Sequence, residues 1–326
     1  MNSQSDFASG APLSFALISV QSLERSLQFY CDVIGLTRSD IVTVPAFQGG
    51  ALDGAPRAAR LALCGEPGVG IGRVLLVEFA GARRETVRQR GDRTTRGFWN
   101  LNFYVDDIEA ATRQLRALGY EFWSDPVTYN VGAAAGTATE VVFEGPDSVA
   151  INLVQPLGGP DTFVGRVRAE VARHGKTRTG FTPVATTAHC VRDLAAAQAF
   201  YTGVLGMRVV LDEYLGRPET NRFLARPANA RTHTVFVAGG HFYGKVALNE
   251  PQNFVVPERV ERARAPNVGY LAQGFELPDL ATAQCLLAGG VGSALDLGGV
   301  PGLENTVALQ VAIPGSGGLA ILVAPR

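Results

Sequence analysis

Along this chain, apolar residues alternate with polar ones in short runs, and segments with apolar residues at helical spacing separate those runs. Leu13 to Val20 alternates as a strand, and Leu23 to Ile34 carries a helical period that Gly35 ends. Strands are then predicted near 41–44, 60–63 and 73–79. The same order, strand, helix and three strands, starts again at Phe98–Val105, where Asp107 caps a helix running to Leu118. Strands follow near 120–123, 137–143 and 149–154, with Gly145-Pro146-Asp147-Ser148 as the last turn. Residues 156–182 read as a linker with a short basic amphipathic helix over Phe163–His174. A third unit begins with a strand at Val184–Val191 and an Asp193-capped helix, and continues with strands at 208–214, 232–237 and 245–249. A fourth opens at Gly269 and closes over 318–323.

These units repeat in their residues as well as in their pattern. The stretch Val20–Leu36 returns as Val191–Met207, with Phe29-Tyr30 falling on Phe200-Tyr201 and Gly35 on Gly206. One residue further along, Arg73 falls on Lys245, Glu78 on Glu250, Gly97 on Gly269 and Asp107 on Asp279. Self-similarity at a long fixed offset marks duplication. The expected fold is therefore α+β, with four tandem βαβββ modules. Residues 1–158 are expected to form the first paired domain, 159–180 a linker with a short helix, and 181–326 the second paired domain. Both pairings of the modules, 1+2 with 3+4 and 1+4 with 2+3, fit the pattern.

Composition narrows the function classes. The chain has 326 residues, 46% of them hydrophobic and 18% charged, which is enough to build a sizeable core. Its net charge of −1 argues against nucleic acid as a partner. Cys31, Cys64, Cys190 and Cys285 form no CxxC pair, so reduced thiols in a cytoplasmic protein are expected. The N-terminus lacks the basic and apolar regions of a signal peptide, and no apolar run reaches the ~20 residues of a membrane span. The expected partner is a small-molecule substrate, and a homodimer is compatible with the sequence. The arginines of 82–97 read first as a solvated connector, and alternatively as an anion clamp.

The wording of the third unit, with Val191, Asp193, Leu194, Phe200, Tyr201, Val204, Leu205 and Gly206 in place, resembles the vicinal oxygen chelate superfamily. That family includes glyoxalase I, extradiol dioxygenases and bleomycin-binding proteins. The resemblance covers nearly the whole chain and implies two cup-shaped domains of paired modules. It also implies a divalent metal held by a His or Gln in a module's first strand and a Glu in its last. The first-strand places fall on Phe15, Asn100, Thr186 and Ala272, and the last-strand places on Glu78, Asn152, Glu250 and Ile321. Only Glu78 and Glu250 could ligate, and either pairing puts them in different cups. No metal at the family's usual place is expected.

What remains is a set of polar side chains. Asn100, Asn102 and Tyr104 alternate on one strand face, and Trp99, Leu101, Phe103 and Val105 on the other. The polar face is expected to line a cup, into which the family geometry also points Glu78 and Asn152. The first hypothesis is a lyase or isomerase that acts by side-chain proton transfer on an aromatic or carbonyl-bearing molecule, without a cofactor. Glu78 or Glu250 would be the base, Tyr104 and the amides of Asn100, Asn102 and Asn152 would hold the substrate, and His241 with Tyr243 and Glu250 forms a further acid/base candidate. The second is an extradiol-type dioxygenase with Fe2+ or Mn2+ on His233, His241 and Glu250. The third is a non-catalytic binder in which Trp99, Trp123 and Tyr104 supply shape. His189, by parity, faces away from the cup as a structural histidine.

Overall fold

A computed structural model describes residues 10–47, 56–81, 85–132, 135–281, 293–297 and 299–326. Two mixed sheets organise them. The first has the order β15 (Ser293–Leu295), β16 (Thr306–Ala312), β17 (Leu319–Pro325), β14 (Gly269–Glu276), β1 (Leu13–Ser19), β5 (Arg73–Phe79), β4 (Arg57–Gly65) and β2 (Thr37–Arg38), with β3 (Val42–Phe47) paired to β4. The second has the order β11 (Arg208–Leu215), β12 (Thr232–Ala238), β13 (Lys245–Pro251), β10 (Thr186–Cys190), β6 (Gly97–Tyr104), β9 (Ala150–Pro156), β8 (Gly136–Glu144) and β7 (Val127–Gly132).

Module 1 is thus joined to module 4 by the antiparallel pair β1–β14, and module 2 to module 3 by β6–β10. The strands of residues 1–158 divide between both sheets, so the expected division into paired domains at 158 and 181 is not how the cups are built. The physical reason lies in the edges. Each module ends on an open first strand that needs a partner, and modules 2 and 3 satisfy one another, leaving 1 and 4 to do the same.

The helices start where the sequence places them. Ser22, Asp107 and Asp193 each accept a hydrogen bond from the backbone N–H three residues on, capping α1 (Leu23–Leu27), α2 (Ile108–Ala117) and α4 (Leu194–Ala199). In the two repeated stretches the last turn widens to a π-helical form at Gln28–Val33 and Phe200–Val204. These helices and the convex faces of both sheets share one apolar core that runs from Ile18 and Tyr30 to Phe103, Tyr201 and Leu322.

The two concave faces differ. That of modules 1 and 4 is filled with apolar side chains, among them Leu75, Val77, Leu271, Leu297, Leu303 and Val323. The ring of Phe15 lies across β14 so closely that a Cβ on Gly274 would stand 2.3 Å from it. Phe15 occupies a first-strand metal place, and its ring takes up the room a ligand would need. The face of modules 2 and 3 stays open.

The segment expected as a linker helps to close that open face. Its helix α3 (Phe163–His174), capped by Thr162, packs Val164, Val167 and Val171 against Tyr104, Val154 and Phe242. No described helix is long and apolar enough to cross a membrane.

Sequence spacing hides one thiol pair. Cys31 in the π-helical turn and Cys64 on β4 bring their sulfurs to 3.7 Å, and the contact with Cys64 draws the half-buried Cys31 thiol below its ordinary pKa. Mild oxidation with diamide, which takes up the two hydrogens, should close one intramolecular Cys31–Cys64 disulfide in the native protein. Peptide mapping that found both cysteines still alkylatable after this treatment would contradict the geometry.

Candidate functional site

The open cup of modules 2 and 3 holds a cavity of about 100 Å³. Its floor is β6, where Asn100, Asn102 and Tyr104 line it as alternation predicts. Trp99 lines it too, against expectation. The register between β6 and β10 slips between Ala188 and His189, and this bulge puts Trp99 on the same side as Asn100. Trp99 then stacks on Trp123, with ring centroids 6.0 Å apart. A second stacked pair, Tyr129 with Phe223 at 5.3 Å, forms another wall.

Two carboxylates line this cavity, Glu213 on β11 and Glu140 on β8, and Glu140 is the one hydrogen-bonded to other cavity residues. Protein surrounds its side chain, although part of its surface stays open to the cavity. Tyr129 donates its hydroxyl to one oxygen at 2.7 Å, and Asn152 donates its amide to the other at 2.7 Å. Burial raises its pKa, and the two hydrogen bonds offset only part of that rise. Two acceptors on the amide wall lack partners: Asn152 Oδ1 and Asn102 Oδ1 are buried without a hydrogen bond. Asn100 is committed elsewhere, with its Oδ1 accepting the Ala188 N–H at 2.8 Å. Tyr104 reaches Thr186 at 3.4 Å, and burial lifts its phenol well above the ordinary value.

The opposite wall comes from the loop after α5 (Pro218–Phe223). Asn221 pins this loop by donating to the carbonyls of Ala228 and Ala230, both at 3.0 Å. The loop delivers Arg226 to the cavity, where burial pulls its pKa down to about 10. Arg226 was not foreseen, because the loop has no periodicity to read. Glu140 was missed as well, although a signal for it existed: with Val141 and Phe143 committed to the helix-side core, alternation turns Glu140 toward the cup.

The predicted bases lie elsewhere. On β5, Leu75, Val77 and Phe79 fill the cup of modules 1 and 4, so Glu78 points the other way and pairs with Arg60 at 3.0 Å. Glu250 likewise faces the helices, where its carboxylate accepts the Leu194 N–H at 3.1 Å and a Gln252 amide hydrogen at 2.7 Å. In both, the transferred family register is off by one residue, and on β13 Asn249 faces the cavity instead.

His241 and Tyr243 do come together, beside His174, in a separate recess of about 200 Å³. The Tyr243 N–H donates to His241 Nδ1 at 3.0 Å, and the Tyr243 hydroxyl donates to the Gly175 carbonyl at 2.8 Å. Burial, and then the neighbouring His174, lower the pKa of His241. Glu250 is at the other end of β13 from them, so that acid/base group does not assemble. His233 pairs instead with Asp212 at 2.6 Å and stacks on Tyr214. The set His233, His241 and Glu250 therefore does not converge.

Among the described residues no three His, Cys, Asp or Glu side chains gather as a metal site would need. The first-strand places of the open cup are an amide and a hydroxyl, Asn100 and Thr186, and of its two carboxylates Glu140 is held by Tyr129 and Asn152 while Glu213 lies on the edge strand β11. These donors do not fit the divalent metal that the family resemblance implies.

Comparison with known proteins agrees with the fold. Glyoxalase I from Zea mays superposes with a TM-score of 0.60 at 16% identity, over 96% of this chain and 92% of that one. A putative dioxygenase from Bacillus subtilis gives 0.57 at 12% identity, over 98% of this chain and 86% of that one. No curated protein matches the sequence. Residues 13–153, which span modules from both cups, match the family model Glyoxalase/Bleomycin resistance protein/Dioxygenase superfamily. That match assigns the first two modules, residues 13–153, to the superfamily.

Proposed function

We propose that the cup of modules 2 and 3 binds a small aromatic or carbonyl-bearing molecule and that Glu140 moves a proton on it, as a lyase or isomerase requires. The observation that carries this reading is the Tyr129–Glu140–Asn152 cluster on the cavity wall. A carboxylate in a dry site is a stronger base than one in water, and both of its oxygens are held in place before any substrate arrives. The unpaired Asn102 and Asn152 oxygens supply acceptors for a ligand hydroxyl or N–H. Trp99, Tyr129 and Phe223 supply flat apolar walls.

The test uses proton exchange, because a base that enolises a carbonyl compound also exchanges its α-hydrogens. Pyruvate and acetophenone in D2O, followed by NMR, should exchange faster with the native protein than without it. Glu140→Gln should lower that acceleration at least about 10²-fold. Equal exchange in the variant would remove Glu140 from the role. Binding of both probes with no exchange would instead favour a non-catalytic binder, a reading that the two stacked aromatic pairs also support.

A further inference from the structure

We propose that this cup takes its ligand as an anion, with a carboxylate seated on Arg226. The inference rests on the same cup being the ligand site and adds the class of ligand. Arg226 lines the cavity and is only 9% exposed. Three separate segments hold its guanidinium. Nε donates to Thr94 Oγ1 at 3.3 Å, Nη1 donates to Thr232 Oγ1 at 2.9 Å, and the Phe254 ring lies 5.6 Å away.

Each of those partners is neutral. No acidic side chain lies within salt-bridge distance of Arg226 among the described residues, and Nη2 makes no hydrogen bond there. Glu140 and Glu213 both line the cavity, but the Glu140 oxygens receive Tyr129 and Asn152, and neither carboxylate forms an ion pair with the guanidinium. A buried cation without an anion is costly, and proteins ordinarily pair it. A fork held rigid on two nitrogens with a third left free is the arrangement that receives a carboxylate.

The far wall sets the other end of the ligand. Asn102 Oδ1 and Asn152 Oδ1 are acceptors, and Glu140 beside them is an acceptor when ionised. A second anionic group there would be repelled, whereas an O–H or N–H would be welcomed. The cavity is smaller than the ~150 Å³ that holds benzene in an engineered core. The structure thus assigns a compact monocarboxylate with a hydrogen-bond donor away from the carboxylate, such as a short hydroxy acid, or a single ring reaching toward the opening.

Matched probes test this. Lactate against lactamide, and benzoate against benzamide, differ mainly in charge, and their affinities can be read by NMR titration. In the native protein each anion should bind about 10- to 100-fold more tightly than its amide, the worth of a hydrogen bond to a charged group. Arg226→Met should reduce that ratio to about one while leaving the ligand-free protein at least as stable to heat, because an apolar side chain replaces an uncompensated buried charge. Arg226→Lys, which keeps the charge and loses the fork, should retain part of the preference. Amides binding as well as anions, a preference that survives Arg226→Met, or no anion binding at millimolar concentrations would each overturn the proposal. Glu140→Gln separates the two readings: it should abolish proton exchange and keep the anion preference. If exchange survives in that variant, the base assignment fails while the carboxylate seat stands.

Discussion

Arg88→Ala should cost the protein about 3–5 kcal/mol of stability, the range seen when one member of a buried ion pair is removed. Arg88 sits in the strap that carries the chain from the first sheet to the second, and it is 2% exposed. Both of its terminal nitrogens engage the Glu144 carboxylate, Nη1 at 3.2 Å, while Nε donates to the Ser148 carbonyl at 2.9 Å. Burial alone would raise the Glu144 pKa, but Arg88 more than offsets it and holds the carboxyl below its usual value, with help from the Gly91 N–H and the Trp123 indole N–H.

The sign of the pH dependence follows from that shift. A carboxylate with a lowered folded pKa stabilises above its unfolded value near 4.5, and this contribution fades as pH falls through the folded value. Without Arg88 the Glu144 charge is stranded, so the deficit of Arg88→Ala should be largest at neutral pH and shrink in acid. Urea unfolding at two pH values reads this directly. The double variant Arg88→Met, Glu144→Leu should recover much of the loss, since two apolar side chains leave no stranded charge. A deficit below about 1 kcal/mol at neutral pH would place Arg88 among ordinary surface ion pairs.

That strap shows what the arginine-rich stretch is for. Of its described residues, Arg88 is buried, Arg93 lies over the Trp123 ring at 4.9 Å, and Arg96 reaches the Val191 carbonyl of the other module. Arg83 and Arg84 lie outside the described residues. Arg90 does stay in solvent, paired with the exposed Glu121, but the other three described arginines form neither a solvated connector nor an anion clamp on the cavity. The segment fastens the two halves of the repeat, and its counterpart near 252–268 meets it through Arg259 and Asp92. Charge density in a sequence does not tell a solvated run from one that folds back onto carbonyls and rings, because the partners are distant in the chain.

Helices α1 to α4, the Asp107 and Asp193 caps and most strands were legible because each follows from local spacing, but the strand expected near 120–123 forms instead at Val127–Gly132, and α5 was not expected. The Asn100, Asn102, Tyr104 and Asn152 face was legible because alternation survives from residue 100 onward. Trp99 broke the rule through a single bulge, which no residue type announces. Glu78 and Glu250 were misplaced by one step, and in a strand one step reverses the face. Parity within the chain would have been the safer guide, since Leu75, Val77 and Phe79 already claim the cup side of β5. Module pairing needed the structure, because equivalent units offer equivalent edges.

Acid should weaken this protein through a histidine as well as its carboxylates, and His189→Gln should remove that component. His189 is wholly buried beneath Phe98, with ring centroids 4.4 Å apart, and its Nδ1 meets the Tyr201 hydroxyl at 2.9 Å. Tyr201 in turn donates to Gln273 Oε1 at 2.7 Å, so Nδ1 carries the proton and Nε2 is left buried as an acceptor without a partner. Protonating Nε2 would strand a charge in the shared core, and burial accordingly lowers the His189 pKa from 6.5 to about 3. Between those values the unfolded chain holds a proton that the folded one lacks. Stability therefore rises with pH across that window and is lost as pH falls from about 6.5 toward 3. Each pH unit in the window is worth about 1.4 kcal/mol, so roughly 2–3 kcal/mol should disappear by pH 4.5. Gln can still donate to Tyr201 but does not titrate. The raised Glu140 pKa works in the opposite direction and is common to both proteins, so it cancels in the comparison. The stability difference between native and His189→Gln protein should thus narrow by about 2–3 kcal/mol between pH 7 and pH 4.5. Parallel pH profiles would mean that His189 titrates in the folded protein as it does in the unfolded chain.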